Sequence, residues 1–465
     1  MHAATPAPFD KAAVATPPAP GKGGGTSRRR RQLGLLSAAV STDNGEQNVV
    51  SVMFPAMRSA LGLPLVALGV LGATTKLAGV VFGPLWVTVA QRYPRKHVLA
   101  VCAGLWGVWT LGTGLVQNYA QLVVMSCIAA AGAAGSLPLV SGIVADLFED
   151  KVRGRANGFL FGAVALFTGI LGPALGQLSR FEHGWRYGFF AVGTLQILTG
   201  LAILRYFKDP GVGAAEPQLA ALDDTARPRR SRALDRQSLR ELWRIRSFPL
   251  MCLQRLLGGQ FVLLAFGVVF LVDARGFSNA AASIVTLPAS VSYLLGTLVG
   301  GLLADRTQHR FPRTGRIAVL QADLLAYAAV AFVTTQFVWP SLAVYAVLFS
   351  VLGALMGVQP SVNRPIVMSI VPPELRGAAF AVFLAVESVG WAAITLLVGR
   401  LGDSIGLDGA FLWVLVVLIL VAGLLASPLY RTYGRDVAAV QAALDRQAAS
   451  TSEATERTHQ AQQER

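Results

Sequence analysis

Runs of about 20 apolar residues recur along the chain, parted by short polar connections. A helix of that length crosses the hydrocarbon of a bilayer, so many separate runs point to a polytopic membrane protein rather than one oversized core. Twelve spans are predicted, at roughly 33–57, 66–90, 97–116, 120–145, 156–178, 185–206, 248–272, 281–304, 317–337, 340–360, 377–400 and 409–430. The fold class is therefore all-α and membrane-embedded. The domains that follow are a disordered basic tail over 1–32, a six-helix bundle over 33–206, a connection over 207–247, a second six-helix bundle over 248–430 and a tail over 431–465.

The connections test this count. Those at 117–119, 273–280 and 337–340 hold few basic residues, whereas the alternate ones carry Arg92, Arg95 and Lys96, then Lys151, Arg153 and Arg155, then Arg306, Arg310, Arg313 and Arg316. Basic loops stay on the cytoplasmic side, so an even number of spans with both termini in the cytoplasm is expected. No signal peptide is expected ahead of span one, where Asp43, Asn44 and Glu46 interrupt any cleavable core. Within the long connection, Leu239, Leu242 and Trp243 recur at helical spacing opposite Arg240, Arg244 and Arg246, which predicts a short interfacial helix.

Composition narrows the function. Hydrophobic residues make up 54% of the chain and charged ones 14%, against about a quarter charged in a soluble domain. The net charge of +15 sits in loops and tails, where it sets orientation, so a nucleic-acid partner is not expected. Cys102, Cys127 and Cys252 all fall inside spans and read as small core residues, without disulfide or metal-ligand spacing. No nucleotide loop or catalytic constellation is present, so neither an enzyme nor a bound cofactor or metal is expected.

The two halves echo each other. Gly301-Leu-Leu-Ala-Asp305-Arg306 stands where an apolar run meets a basic loop, and Ala90-Gln91-Arg92-Tyr93-Pro94-Arg95-Lys96 stands at the end of an earlier run. Span four leads into Asp146, Glu149 and Arg153-Gly154, and span ten into Glu374 and Arg376-Gly377. A parallel duplication of six spans is a transporter architecture, with the solute site between the halves.

These residues resemble the major facilitator superfamily, whose loop motif reads Gly-x-Leu-Ala-Asp-Arg-x-Gly-Arg-Lys. Gly301 to Arg306 matches its first six positions, while the N-terminal copy has Val87, Gln91 and Pro94 where Gly, Asp and Gly are usual. The Arg-Gly loops at Arg153 and Arg376 are similar to the family's, and Gly172-Pro173-Ala-Leu-Gly176 is similar to the Gly-Pro-x-x-Gly element of its exporters. Glu46 stands nine residues before Pro55, where drug-proton antiporters and spinster-like lipid transporters often carry Asp. The span-four Arg of the exporters is missing, its place falling on Ser126. The resemblance implies two pseudo-symmetric six-helix bundles, a monomer in the cytoplasmic membrane, and a cytoplasmic gate built on Asp305, Arg306, Gly301, Arg92, Arg153 and Arg376. It implies a bend or a close packing of helix five at Gly172, Pro173 and Gly176.

A carboxylate inside a span needs a partner, a wet cavity or a proton. Asp43 and Glu46 are three apart and share a helical face, so they are candidates for substrate or proton coupling, with helix capping as the competing role. Glu387, midway along span eleven beside Ser388 and Trp391, is placed toward a central cavity, and Asp323 in span nine is expected to meet a structural partner such as a loop Arg. Arg255 in span seven pairs with an acid or an anionic headgroup, and Arg364 is expected to snorkel. Gln47, Asn48, Gln254, Gln260 and Asn363 add interhelical contacts. The function expected is secondary active transport of a small amphipathic or drug-like solute, as proton-coupled export. The alternatives are an importer or facilitator of an organic anion, suggested by Arg255, and a transporter-like membrane sensor.

Overall fold

A computed structural model describes residues 24–148, 150–211, 236–372 and 375–442. Among the described residues there is no strand, and nine helices are long and apolar enough to cross a membrane. Three further crossings escape that measure for local reasons. Span one, Gly24–Leu61, carries Asp43 and Glu46. Span three is broken into Arg95–Ala100, a wide π turn at Val101–Leu105, and Gly107–Thr113. Spans eleven and twelve run together as Arg376–Leu424, parted at Gly406, whose φ of 78° only glycine adopts without strain. The twelve crossings form two six-helix bundles.

The remaining spans follow the apolar runs closely. Span two is Leu65–Arg92, span four is Tyr119–Ala133 with Ser136–Leu147, span five is Asp150–Leu178 and span six is Gly184–Tyr206. Span seven is Ser247–Leu256 and Val262–Asp273 joined through a 3-10 turn, and span eight is Asn279–Ile284 with Thr286–Arg310. Spans nine and ten are Gly315–Gln336 and Leu342–Ile370.

One boundary needs correction. The first helix begins at Gly24, so Arg28 to Arg31 belong to it rather than to a disordered tail, because nothing in Gly24–Gln32 stops an α-helix once span one has nucleated it. The chain after span twelve is helical over 429–442, and Asp436 from that segment accepts from the Ser247 backbone N–H at 2.8 Å, capping span seven. The tail at 1–23, most of the connection at 212–235, and 443–465 lie outside the described residues. The predicted interfacial helix is present as Arg236–Arg244, with Leu242 buried and Trp243 exposed against Phe248.

The bundles meet along two seams, span two with span eleven and span five with span eight. Both seams are built on glycine. A Cβ on Gly69 would stand 2.4 Å from the Thr395 carbonyl oxygen, and one on Gly399 would stand 2.6 Å from the Val66 Cα. In the other seam, a Cβ on Gly172 would meet Thr286 Oγ1 at 2.1 Å and one on Gly176 would meet Ser283 Oγ at 1.8 Å. Pro173 lies inside the helix, and Gly172 and Gly176 mark a close approach between the halves here. Toward the face that carries both ends of the described chain, hereafter the terminal face, the seams part. Gly79 and Gly158 have nothing within 4 Å of a Cβ position.

Candidate functional site

Span seven breaks where Gly258 and Gly259 follow Leu257, and Arg255 stands in the last turn of its first helical piece. Gly390 of span eleven lets that break come close, since a Cβ there would stand 2.6 Å from the Leu256 carbonyl oxygen. One turn before Gly390, Glu387 then accepts from Arg255 Nη2 at 2.6 Å. The guanidinium lies over the Phe261 ring at 4.8 Å and is 5% exposed, while the carboxylate is 28% exposed. Two of the five sequence candidates are thus brought together as an ion pair.

The other half contributes a residue that sequence reasoning missed. Gly72 makes a notch against the Trp391 ring, which a Cβ would meet at 2.9 Å. One turn on, Lys76 Nζ sits 4.8 Å from the centroid of the same ring. Lys76 and Arg364 act electrostatically on Glu387, and Arg364, Arg255 and Glu387 all act on Tyr293 of span eight. The cluster therefore joins spans two, seven, eight, ten and eleven with three cations and one carboxylate. An uncompensated lysine in the middle of an apolar run was the signal that would have found Lys76.

Asp43 and Glu46 are placed elsewhere. They turn into the N-terminal bundle, where Thr110 Oγ1 donates to Glu46 Oε2 at 3.2 Å and Gln196 donates to the Thr42 carbonyl at 3.3 Å. Asp43 lines a crevice with Cys102, Trp106, Gly107, Thr110, Ala129, Ala133 and Gln196 that is too narrow for a solute. Ser126 is buried nearby on span four, its hydroxyl without a partner among the described residues. Asp323 is also internal to one half. Its partner is Gln359, which in turn is bonded by Asn363 at 3.1 Å, so the loop Arg expected for it is replaced by a side-chain amide of span ten. Burial explains the change: a loop arginine does not reach a carboxylate 6% exposed among packed helices. Cys102 and Cys252 are buried and all three cysteines are free.

Among the described residues, the following contacts of the terminal-face charges each lie within one half. Arg95 bonds Asp146 at 2.6 Å and Asp209 at 2.6 Å. Arg316 reaches Ser369 at 3.0 Å and Asp305 at 3.5 Å, the latter carboxylate 66% exposed. Arg376 Nε donates to the Met368 carbonyl at 3.2 Å. Arg92 and Arg306 are exposed, and a Cβ on Gly301 would be 3.9 Å from Ser361. The Arg153 side chain lies outside the described residues. At the opposite face the halves are tied together. Both Asp403 carboxylate oxygens accept from span two, at 2.9 Å from the Leu65 N–H and 2.9 Å from the Val66 N–H. Arg58 of span one pairs with Asp273 of span seven.

Twelve helices in two bundles, sealed on one face and parted on the other around a charged cluster, define a transporter architecture. The sequence model of the Major Facilitator Superfamily matches residues 35–339, and the chain belongs to that family. It is a membrane transporter. It is 28% identical over 416 residues to an "MFS-type efflux pump" of Mycolicibacterium smegmatis, covering 86% of this chain and 91% of that one. It is 26% identical to a "Probable sulfoacetate transporter" of Cupriavidus necator, over 59% of this chain and 64% of that one. The fold is shared with a bacterial homolog of the human lysosomal transporter Spinster in an inward-facing and occupied conformation. The TM-score is 0.73 at 19% identity, over 88% of this chain and 98% of the other.

Proposed function

We propose that the protein is a proton-coupled secondary transporter of small amphipathic solutes, working as a monomer by alternating access around the Lys76–Arg255–Glu387 cluster. The observation that carries this reading is the ion pair of Arg255 with Glu387, met by Lys76 from the other half at the junction of the two bundles. A titratable pair that spans a moving interface is a place where solute and proton exchange influence each other. The terminal face, rich in Arg28 to Arg31, Arg92, Arg95, Arg306 and Arg310, is the cytoplasmic one in this reading, so the conformation is open to the cytoplasm. Asp43 and Glu46 hold a second buried acid site inside one bundle, tuning that bundle rather than touching solute.

Two solute classes have support. The efflux-pump relative favours outward movement of a drug-like compound. The excess of three cations over one carboxylate favours an organic anion. The test starts with a thermal-shift screen of the purified protein against amphipathic compounds at two pH values. Flux of the stabilising compounds is then followed in proteoliposomes under an imposed pH gradient. Flux that responds to the gradient is expected; flux indifferent to it removes the proton, and flux that persists after a disulfide is introduced between positions 65 and 403 removes alternating access.

A further inference from the structure

Arg255 is a buried charge left largely unsatisfied among the described residues. It is 6% exposed, and of its donors Nη2 alone has an acceptor, Glu387, while Nε and Nη1 are buried with no partner among the described residues. A planar guanidinium presents its donors as a fork, which one carboxylate oxygen does not fill and an oxyanion with two or three oxygens does. Around it stand Lys76 from the opposite half, Arg364 and the Tyr293 hydroxyl, with Trp391 and Phe261 supplying flat apolar faces. Among the described residues the carboxylate bonded to it is Glu387, through a single oxygen.

We propose that the solute site takes a small organic anion, a carboxylate or sulfonate on an aromatic or apolar body, whose oxyanion replaces the Glu387 carboxylate on Arg255 and is held from the other half by Lys76. Glu387 serves as the resident stand-in for the solute's charge. When it is ionised it occupies Arg255; when it takes a proton it loses its claim on the guanidinium, and the positive charges of Arg255, Lys76 and Arg364 are left without that counter-charge. The groups that bear on Glu387 from neighbouring elements are Lys76 of span two, Arg255 of span seven, Tyr293 of span eight and Arg364 of span ten. None of them is an acid that would take over its role. Proton and anion are then loaded together and travel in the same direction, while the empty carrier returns with the Arg255–Glu387 pair closed. This rests on the transport reading above and selects its organic-anion branch.

Three probes of one shape separate the possibilities: 2-naphthalenesulfonate, 2-naphthalenemethanol and 2-naphthylmethylammonium. The sulfonate stays ionised throughout, so any pH effect on its binding belongs to the protein. Binding is measured by calorimetry on the full-length protein in detergent at about pH 5.5 and about pH 8, with at least about a tenfold gain in sulfonate affinity expected at the lower pH, one tenfold per unit of differential protonation. Glu387→Gln is expected to bind the sulfonate alike at both pH values, and at least as tightly as the unaltered protein does at the lower one. Lys76→Gln, a change at a partly exposed position, is expected to weaken it at both while the thermal unfolding temperature holds. Absence of sulfonate binding at the lower pH overturns the proposal, as does tighter binding of the ammonium with its loss in Glu387→Gln. Binding as expected without flux of the sulfonate into proteoliposomes under a pH gradient leaves the anion site standing and instead overturns the transport reading beneath it.

Discussion

At the face away from the chain ends, Asp403 caps span two across the gap between the halves and Arg58 pairs with Asp273. At the terminal face, among the described residues, Asp305 reaches Arg316 of its own half. The difference lies in what each face has to offer its partner. Span two starts after Pro64, which provides no side-chain cap, so its first N–H groups are satisfied from the other bundle. The loop charges at the terminal face find acceptors locally, Arg95 in two carboxylates and Arg376 in a carbonyl. The seal joins the halves through glycine contacts and through backbone N–H groups held by the Asp403 carboxylate. The terminal-face pairs named above each lie within one half and make no tie across the gap. In the proposed reading of a carrier open to the terminal face, a firm seal is needed opposite, where Asp403 and the glycine seam lie.

This contrast is open to attack, beginning with its strongest contact. Gly69→Val puts side-chain atoms where the Thr395 carbonyl lies, at a cost to the sealed state of about 1–3 kcal/mol. Spin-label distances across the sealed face are expected to lengthen in most molecules; an unchanged distribution would show that the glycine seam does not hold the face. Asp403→Ala removes both acceptors from span two, worth about 0.5–2 kcal/mol by analogy with a helix cap. A cysteine introduced at Ser404 should react faster with a membrane-impermeant maleimide than in the unaltered background, with Asp403→Asn, which keeps one acceptor, falling between.

Smaller effects follow for the charged pairs. Arg58→Ala breaks a half-exposed ion pair, so a shift of about 0.2–1 kcal/mol is expected, shrinking as salt is raised. A salt-independent effect of that variant would assign Arg58 a packing role instead. Asp305→Asn should do least to the present conformation, under about 1 kcal/mol, because its carboxylate is two-thirds exposed. It should act on the conformation closed at the terminal face, where the family resemblance gives Asp305 a latching role. The expected result is a modest rise in cysteine accessibility on that face, and a fall would reverse the assignment.

The acids of the two halves repeat the lesson in the core. Glu46 is met by a hydroxyl within its bundle, Glu387 by a guanidinium beside the interface. From the linear pattern both were mid-span carboxylates of equal standing. What parts them is the rotation of each helix about its axis, which turns span one's acids toward spans three and six and turns Glu387 toward the other half. That rotation is settled by packing notches at Gly72 and Gly390, whose importance shows only once their neighbours are known.

The twelve crossings, the duplication and the basic loops were legible in the amino-acid order, because apolar length and the need to satisfy every backbone group inside a bilayer are local demands. The Gly301–Arg306 motif was legible for the same reason, each of its residues lying within two turns of one helix. The meeting of Arg255 with Glu387, 132 residues apart, and of both with Lys76 was decided by tertiary structure alone. A charge in a span declares that it needs a partner, but its partner is chosen by how helices pack, and no spacing along the chain encodes that choice.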